Sequence, residues 1–294
     1  MPNATLKFEA IGTHWQIDIE HNPPLLNEAD LLIEIRERIE KFENNYSRFR
    51  SESLVTEMSK KAGTYTLPED AGPLLNLYHH LYILTQGAFT PLIGQVLADA
   101  GYDAAYSFTT QKLSTPPSWD EVIELTLPTI IIKKPALLDF GAAGKGYLVT
   151  IISKIFEKHG FESFCINAGG DIFYKNNQGK KLRVGLEHPQ NSGQVIGVAE
   201  LLNNSICGSA GNRRAWANFN HIIDPRKLTS PQDILAIWVV AKDTAIADAL
   251  ATCLFFLPSS KFKSDYEFEY LIMFADYSVE ISSKFPGEIF TPEK

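Results

Sequence analysis

The stretch from Asp139 to Gly160 constrains this chain more than any other. It opens as Asp-Phe-Gly-Ala-Ala-Gly-Lys-Gly, and from Lys145 onward Leu148, Ile151, Ile152, Ile155 and Phe156 fall at helical spacing until Gly160. The pattern predicts an amphipathic helix that must bury one stripe, entered through a glycine-bracketed loop. Glycines there let backbone N–H groups approach an anion at the positive end of the helix, and Lys145 adds a charge. The spacing is neither Walker A nor Gly-x-Gly-x-x-Gly, so the loop alone reads equally well as a phosphate cradle or a tight turn.

What packs around that helix follows from the remaining periodicities. Residues 5–20 alternate apolar and polar around Ile11-Gly12-Thr13, as two strands joined at a turn do. Asn27 stands as a cap before a helix with Leu32, Ile35, Ile39 and Phe42 on one face. Pro73 suits a first helical position, with Leu74, Leu77, Leu81 and Leu84 behind it and Gly87 as a stop. His79 and His80 ride on that helix as surface or core-edge residues. A loop is expected at 112–118 around Pro116 and Pro117, and strand-rich structure at 122–133. Strands are expected at 163–167, 172–174, 182–186, 195–201 and 234–240, then a helix from Thr244 to about Phe256. This mixed order predicts an α+β fold over a doubly wound parallel one. A single domain spanning 1–294 is expected, its two lobes dividing near 112–118.

Composition narrows the function classes. With 45% hydrophobic residues in a chain of 294, a large core is available. A net charge of -8 argues against a nucleic-acid partner, which usually meets a basic stripe. Cys165, Cys207 and Cys253 lack paired spacing and sit among apolar neighbours, so they read as buried free thiols. No run approaches the roughly 18 apolar residues of a membrane span. The expected location is cytoplasmic, or periplasmic or membrane-anchored if a leader was removed.

Three further segments carry chemistry-capable residues. Asn167-Ala168-Gly169-Gly170-Asp171 lies between two expected strands, where a glycine pair both makes a turn and lets a flat ligand lie close to the backbone. His221-Ile222-Ile223-Asp224-Pro225-Arg226 reads as an apolar strand stopped by proline, its His and Asp able to meet only if the chain turns. In the alanine-rich run 244–252, Asp248 and Thr252 lie one helical turn apart on one face. A carboxylate and a hydroxyl form a hard-oxygen pair suited to Mg²⁺.

Taken in order, together with Arg183-Val184-Gly185-Leu186-Glu187-His188-Pro189, these motifs resemble the FAD:protein FMN transferases of the ApbE family. Weaker echoes lie at Ile11-Gly12-Thr13, at Tyr46-Ser47-Arg48-Phe49 with Ser53, and at 87–91. The resemblance implies an α+β, T-fold-like arrangement of mixed sheets with packed helices around a central FAD cleft. It implies Mg²⁺ held by Asp248, Thr252 and the Gly144 carbonyl, with His221 as catalytic residue. Gly144, Lys145, Gly169, Gly170, Asp171 and Glu187 would contact the dinucleotide. FAD is then a substrate, and the acceptor is a flavoprotein bearing a target Thr or Ser.

Four positions depart from the family pattern: Thr150 replaces an aspartate, Gly208-Ser209-Ala210 replaces Thr-Ser-Gly, Thr90 follows Phe89 in place of aspartate, and Ile11 replaces methionine. Two other activities use the same groups: an Mg²⁺-dependent FAD pyrophosphatase giving FMN and AMP, and a protein that binds FAD without cleaving it.

Overall fold

A computed structural model describes residues 4–20, 27–212 and 214–290 of the chain; 1–3, 21–26, 213 and 291–294, all within the expected 1–294 domain, lie outside the described residues. Its centre is an eight-stranded sheet in which every neighbouring pair is antiparallel. In order across the sheet the strands are Ala4–Ala10, Thr13–Ile19, Ser163–Ala168, Asp171–Asn176, Asn204–Ala210, Ile234–Ala241, Phe268–Phe274 and Val279–Ile281. The α+β expectation therefore holds, with helices segregated to one face of an antiparallel sheet.

The helical face carries the larger core. The lysine helix, Gly144–Lys158, lies at its centre, packed on the Glu28–Tyr46 helix, on the aspartate helix Thr244–Cys253 and on the sheet. Enclosure on several sides explains why Val149, Thr150 and Ser153 are buried along with Leu148, Ile152 and Phe156. Phe156 stacks on Phe164 of the sheet at 4.8 Å, and each such side chain contributes about 1.5–3 kcal/mol on burial. Asn27 caps the Glu28–Tyr46 helix by accepting from the Ala29 N–H. Its buried stripe is Leu31, Ile35, Ile39, Phe42 and Tyr46, with Leu31 in the place expected of Leu32, because Leu31 is one full turn from Ile35. The Pro73 helix begins two residues earlier than expected, at Ala71, and ends at Leu84.

The opposite face of the sheet packs on a three-stranded sheet of Leu182–His188, Asn191–Leu201 and Gly287–Ile289. Ile172, Ile206, Trp238 and Leu271 meet Leu186, Ala199 and Leu201 there. Residues 122–133 form the expected strands, Ile123–Thr126 and Thr129–Ile132, paired with Gly63–Thr66. The largest buried cluster draws on residues from both sides of the 112–118 loop. His79 lies on Trp119 and His80 near Tyr266, as core-edge residues do. All three cysteines are free, and burial pushes the Cys165 thiol up to about 12. No helix among the described residues is long and apolar enough to cross a membrane.

Candidate active site

The glycine loop and the aspartate helix meet through Gly146. Its N–H donates to Asp248 Oδ2 at 2.8 Å, joining residues 102 apart in the chain. A Cβ on Gly146 would lie 2.4 Å from the Thr244 carbonyl oxygen and 2.6 Å from Asp248 Cβ, so only glycine permits this crossing. The small residues of 244–252 let the Gly146 backbone reach the face that carries Asp248. Asp248 is 6% exposed. Burial raises its carboxyl above the ordinary range, opposed by the charge of Lys145 and by the Gly146 N–H. Thr252 follows one turn later, partly exposed, and Gly144 opens the lysine helix one residue before Lys145.

Lys145 pairs with Asp171, whose side chain is 1% exposed. This ion pair ties the start of the lysine helix to the hairpin between Ser163–Ala168 and Asp171–Asn176. Gly169 (φ +63°) and Gly170 (φ +103°) form the two-residue turn, closed by the Ala168–Asp171 pair and by the Gly170 N–H donating to Asn167 Oδ1 at 2.9 Å. The same glycines line a cavity of about 860 Å³ between the two sheets. Glu187 lines it from the facing strand, where register shifts on both sides of it re-aim the side chain. Phe8, Trp15 and Trp238 add aromatic wall, and Gly208 lies in the same lining.

His221 does not line that cavity. The apolar strand expected from His221 does not form: a two-residue strand, Phe219–Asn220, ends just before it, and the chain is irregular from His221 to Ile223. Asp224 does not turn toward His221: it accepts from Arg226 Nε at 2.9 Å and Nη2 at 2.8 Å, and from the Arg226 N–H, which sets the turn after Pro225. The His221 N–H donates to the Arg214 carbonyl at 3.2 Å, and its ring Nδ1 is buried without a hydrogen-bond partner among the described residues. Burial, then the Arg214 charge, pushes its pKa down to about 4, while Asp139 pulls the other way and Lys145 adds to the depression. His221 therefore shares the field of the lysine loop, as a neutral imidazole at pH 7.

The large cavity and the metal-suited pair are thus distinct. The structure brings together Gly144, Lys145, Asp171 and Asp248, and separately Gly169, Gly170 and Glu187; Asp248, Thr252 and His221 do not line the large cavity. Among the described residues no group of three or more His, Cys, Asp or Glu could hold a metal ion. Asp248 supplies a buried carboxylate, beside the Lys145 charge and the Gly146 N–H, of the kind that a small hard cation takes together with hydroxyl, carbonyl, water or substrate oxygens.

Several residues around the site make contacts that the sequence does not show. Arg48, 2% exposed in its side chain, donates from Nε to Asp139 Oδ2 at 2.5 Å, while the other Asp139 oxygen accepts from the Gly141 N–H at 2.7 Å. The Arg48 guanidinium lies 4.2 Å from the Phe49 ring centroid and 4.9 Å from that of Tyr102. Arg214 Nη1 donates to Tyr102 Oη at 2.8 Å, so a chain of contacts runs from Asp139 through Arg48, Tyr102 and Arg214 to His221. Tyr78 is fully buried between Phe89 and Phe140, close enough to Asp139 and Asp248 for both charges to act on its hydroxyl. Thr150 donates to Asp243 Oδ1 at 3.2 Å, and Asp243 caps the aspartate helix. A hydroxyl therefore joins the two helices where the family pattern places a carboxylate.

Comparison with known proteins agrees with this architecture. A FAD:protein FMN transferase of Rhodobacter capsulatus is 23% identical over 270 residues, covering 86% of this chain and 51% of that protein. The chain thus spans about half the length of that relative. One from Treponema pallidum is 25% identical over 284 residues, covering 85% of this chain and 78% of the relative. Among solved structures, the flavin transferase ApbE of Vibrio cholerae superposes with a TM-score of 0.80 at 19% identity, covering 96% of this chain and 97% of that one. The ApbE protein of Thermotoga maritima gives 0.82 at 20% identity, over 97% and 99% of the two chains. The family model described as the ApbE family matches residues 11–269. With the loop, the hairpin and the aspartate helix all inside that span, the chain belongs to the ApbE family.

Proposed function

We propose that this protein transfers the FMN moiety of FAD to a Thr or Ser hydroxyl of an acceptor flavoprotein, releasing AMP. One observation carries the reading: a buried carboxylate, Asp248, is held by the Gly146 N–H beside Lys145, and Lys145 pairs with Asp171 next to the Gly169–Gly170 turn that lines the large cavity. That arrangement supplies a cation site and a helix N-terminus to one diphosphate. The names of the relatives support the same chemistry.

In this reading the aromatic walls and the Gly169–Gly170 turn seat the flavin, with Glu187 facing it. Lys145, anchored by Asp171, fixes the loop and contributes positive charge toward the phosphates. Mg²⁺ bound by Asp248, Thr252 and the Gly144 carbonyl would supply Lewis-acid stabilisation of the charge that grows on the departing phosphate. His221, neutral at pH 7, accepts the proton of the acceptor hydroxyl. The hydroxyl oxygen forms a bond to the FMN phosphorus as the bond from that phosphorus to the bridging oxygen breaks. That oxygen leaves with AMP, and the proton on His221 passes to solvent.

Incubation with FAD, Mg²⁺ and a candidate acceptor, read by mass spectrometry, tests the proposal. An FMN adduct on a Thr or Ser is expected; free FMN and AMP at the same rate with and without acceptor would make the protein a pyrophosphatase instead.

A further inference from the structure

The central sheet forms one wall of the large cavity, and two of its strands meet there through a glycine and a tryptophan. Gly208 of Asn204–Ala210 pairs across the ladder with Trp238 of Ile234–Ala241, and two positions along Ala210 pairs with Ala236. All four line the cavity, as strand alternation requires of residues two apart on one face. A Cβ on Gly208 would lie 3.1 Å from Trp238 Cδ1 and 3.3 Å from Nε1, so the nitrogen-bearing edge of the indole rests over the glycine. A branched side chain at 208 would take up the space that this edge fills.

The indole nitrogen sets this side chain apart from the other aromatic walls. Trp15 Nε1 donates to the Ala10 carbonyl at 3.2 Å, and Phe8 has no polar atom to offer. Trp238 is only 9% exposed, yet its Nε1–H meets no acceptor among the described residues. Buried indole N–H groups ordinarily find a partner, so a donor left open in a cavity wall points to an acceptor on the ligand. The neighbouring Ala210–Ala236 pair gives a low, apolar surface on which a flat ring can lie. An uncharged donor in such a wall matches a carbonyl oxygen; a phosphate there would lack countercharge.

We propose that Trp238 is a specificity-determining residue, whose Nε1–H donates to a carbonyl oxygen on the edge of the flavin ring as that ring lies against Ala210 and Ala236. The inference rests on the transfer reading above, which seats the flavin in this cavity, and adds the donor that recognises the ring. Gly208 serves it by leaving room for the indole edge.

The test titrates the full chain with riboflavin, FAD and ADP, using flavin fluorescence for the first two and calorimetry for the third. Trp238→Phe keeps an apolar ring and removes the donor, whereas Gly208→Val keeps the donor and displaces it; circular dichroism checks that each is folded. Both are expected to weaken riboflavin and FAD at least about fivefold, the effect of losing one neutral hydrogen bond, with ADP within twofold of the parent. In the ¹⁵N-labelled parent, the Trp238 indole N–H resonance, assigned through the backbone, should move downfield on saturation with riboflavin. This measurement stands even if a variant does not fold. Unchanged riboflavin affinity in folded Trp238→Phe, no riboflavin binding by the parent, or an indole resonance that stays in place overturns the proposal. Equal weakening of ADP and riboflavin also overturns it, since the donor would then serve another part of the dinucleotide. Riboflavin binding with the indole shift, but no FMN transfer from FAD with Mg²⁺ and acceptor, would leave the Trp238 assignment standing and sink the transfer reading.

Discussion

Replacing Gly146 with alanine separates two opposed effects of known size. In an exposed helix the change stabilises by about 1 kcal/mol, because alanine has the higher helix propensity. Here the added Cβ would sit 2.4 Å from the Thr244 carbonyl oxygen and 2.6 Å from Asp248 Cβ, where ordinary contact begins at 3.4 Å. The two helices must part by about 1 Å, and overpacking of that kind costs about 1–3 kcal/mol. The same movement stretches the Gly146 N–H bond to Asp248 Oδ2, a hydrogen bond to a charged group that contributes about 1.5–3 kcal/mol. The clash wins, leaving a net loss of about 2–4 kcal/mol, or a fall in Tm of about 4–8 °C for a chain of this size. Thermal unfolding by circular dichroism measures the first effect, and Mg²⁺ titration of FAD turnover measures the second, with a several-fold weaker apparent Mg²⁺ affinity expected. A variant as stable as the parent, with an unchanged Mg²⁺ dependence, would refute the claim that this crossing positions Asp248.

Other expectations follow from the same geometry. Asp248→Asn removes the carboxylate charge with little change of shape and should lower Mg²⁺-dependent transfer at least about 100-fold, more than the loss of an outer-shell partner does. His221→Ala should keep FAD affinity and slow transfer by about 10²–10⁴; in the parent, NMR should follow His221 titrating near pH 4. Because its folded pKa lies below the usual 6.5, the unfolded chain takes up the proton first, so the His221 contribution to stability is lost as pH falls from about 6.5 toward 4. Mg²⁺ should raise Tm, and by less as pH falls, since the Asp248 carboxyl protonates above the ordinary carboxylate range and the proton competes with the cation. Thr150→Val should cost about 1 kcal/mol in urea unfolding by removing the hydroxyl bond to Asp243.

Much of this was legible in the residues. The lysine helix, the strand pair around Ile11-Gly12-Thr13 and the Gly169–Gly170 hairpin lie where periodicity and turn chemistry placed them. The segment after Phe219 was misread as a strand, because its apolar run could not reveal that Asp224 and Arg226 would close a turn on themselves. Arg48 was similarly opaque: nothing in Tyr46-Ser47-Arg48-Phe49 says that a guanidinium will be buried between aromatic rings.

Helical stripes, strand alternation and glycine turns are local, so residue type at short spacing determined them. The Arg48–Asp139 pair spans 91 residues and the Gly146–Asp248 bond 102. Their formation depends on how the lysine helix crosses the aspartate helix and on which residues the sheet brings alongside. Those distances are set by the packing of the whole core, and only the tertiary structure decided that a carboxylate, a lysine and a hairpin would share one corner of it.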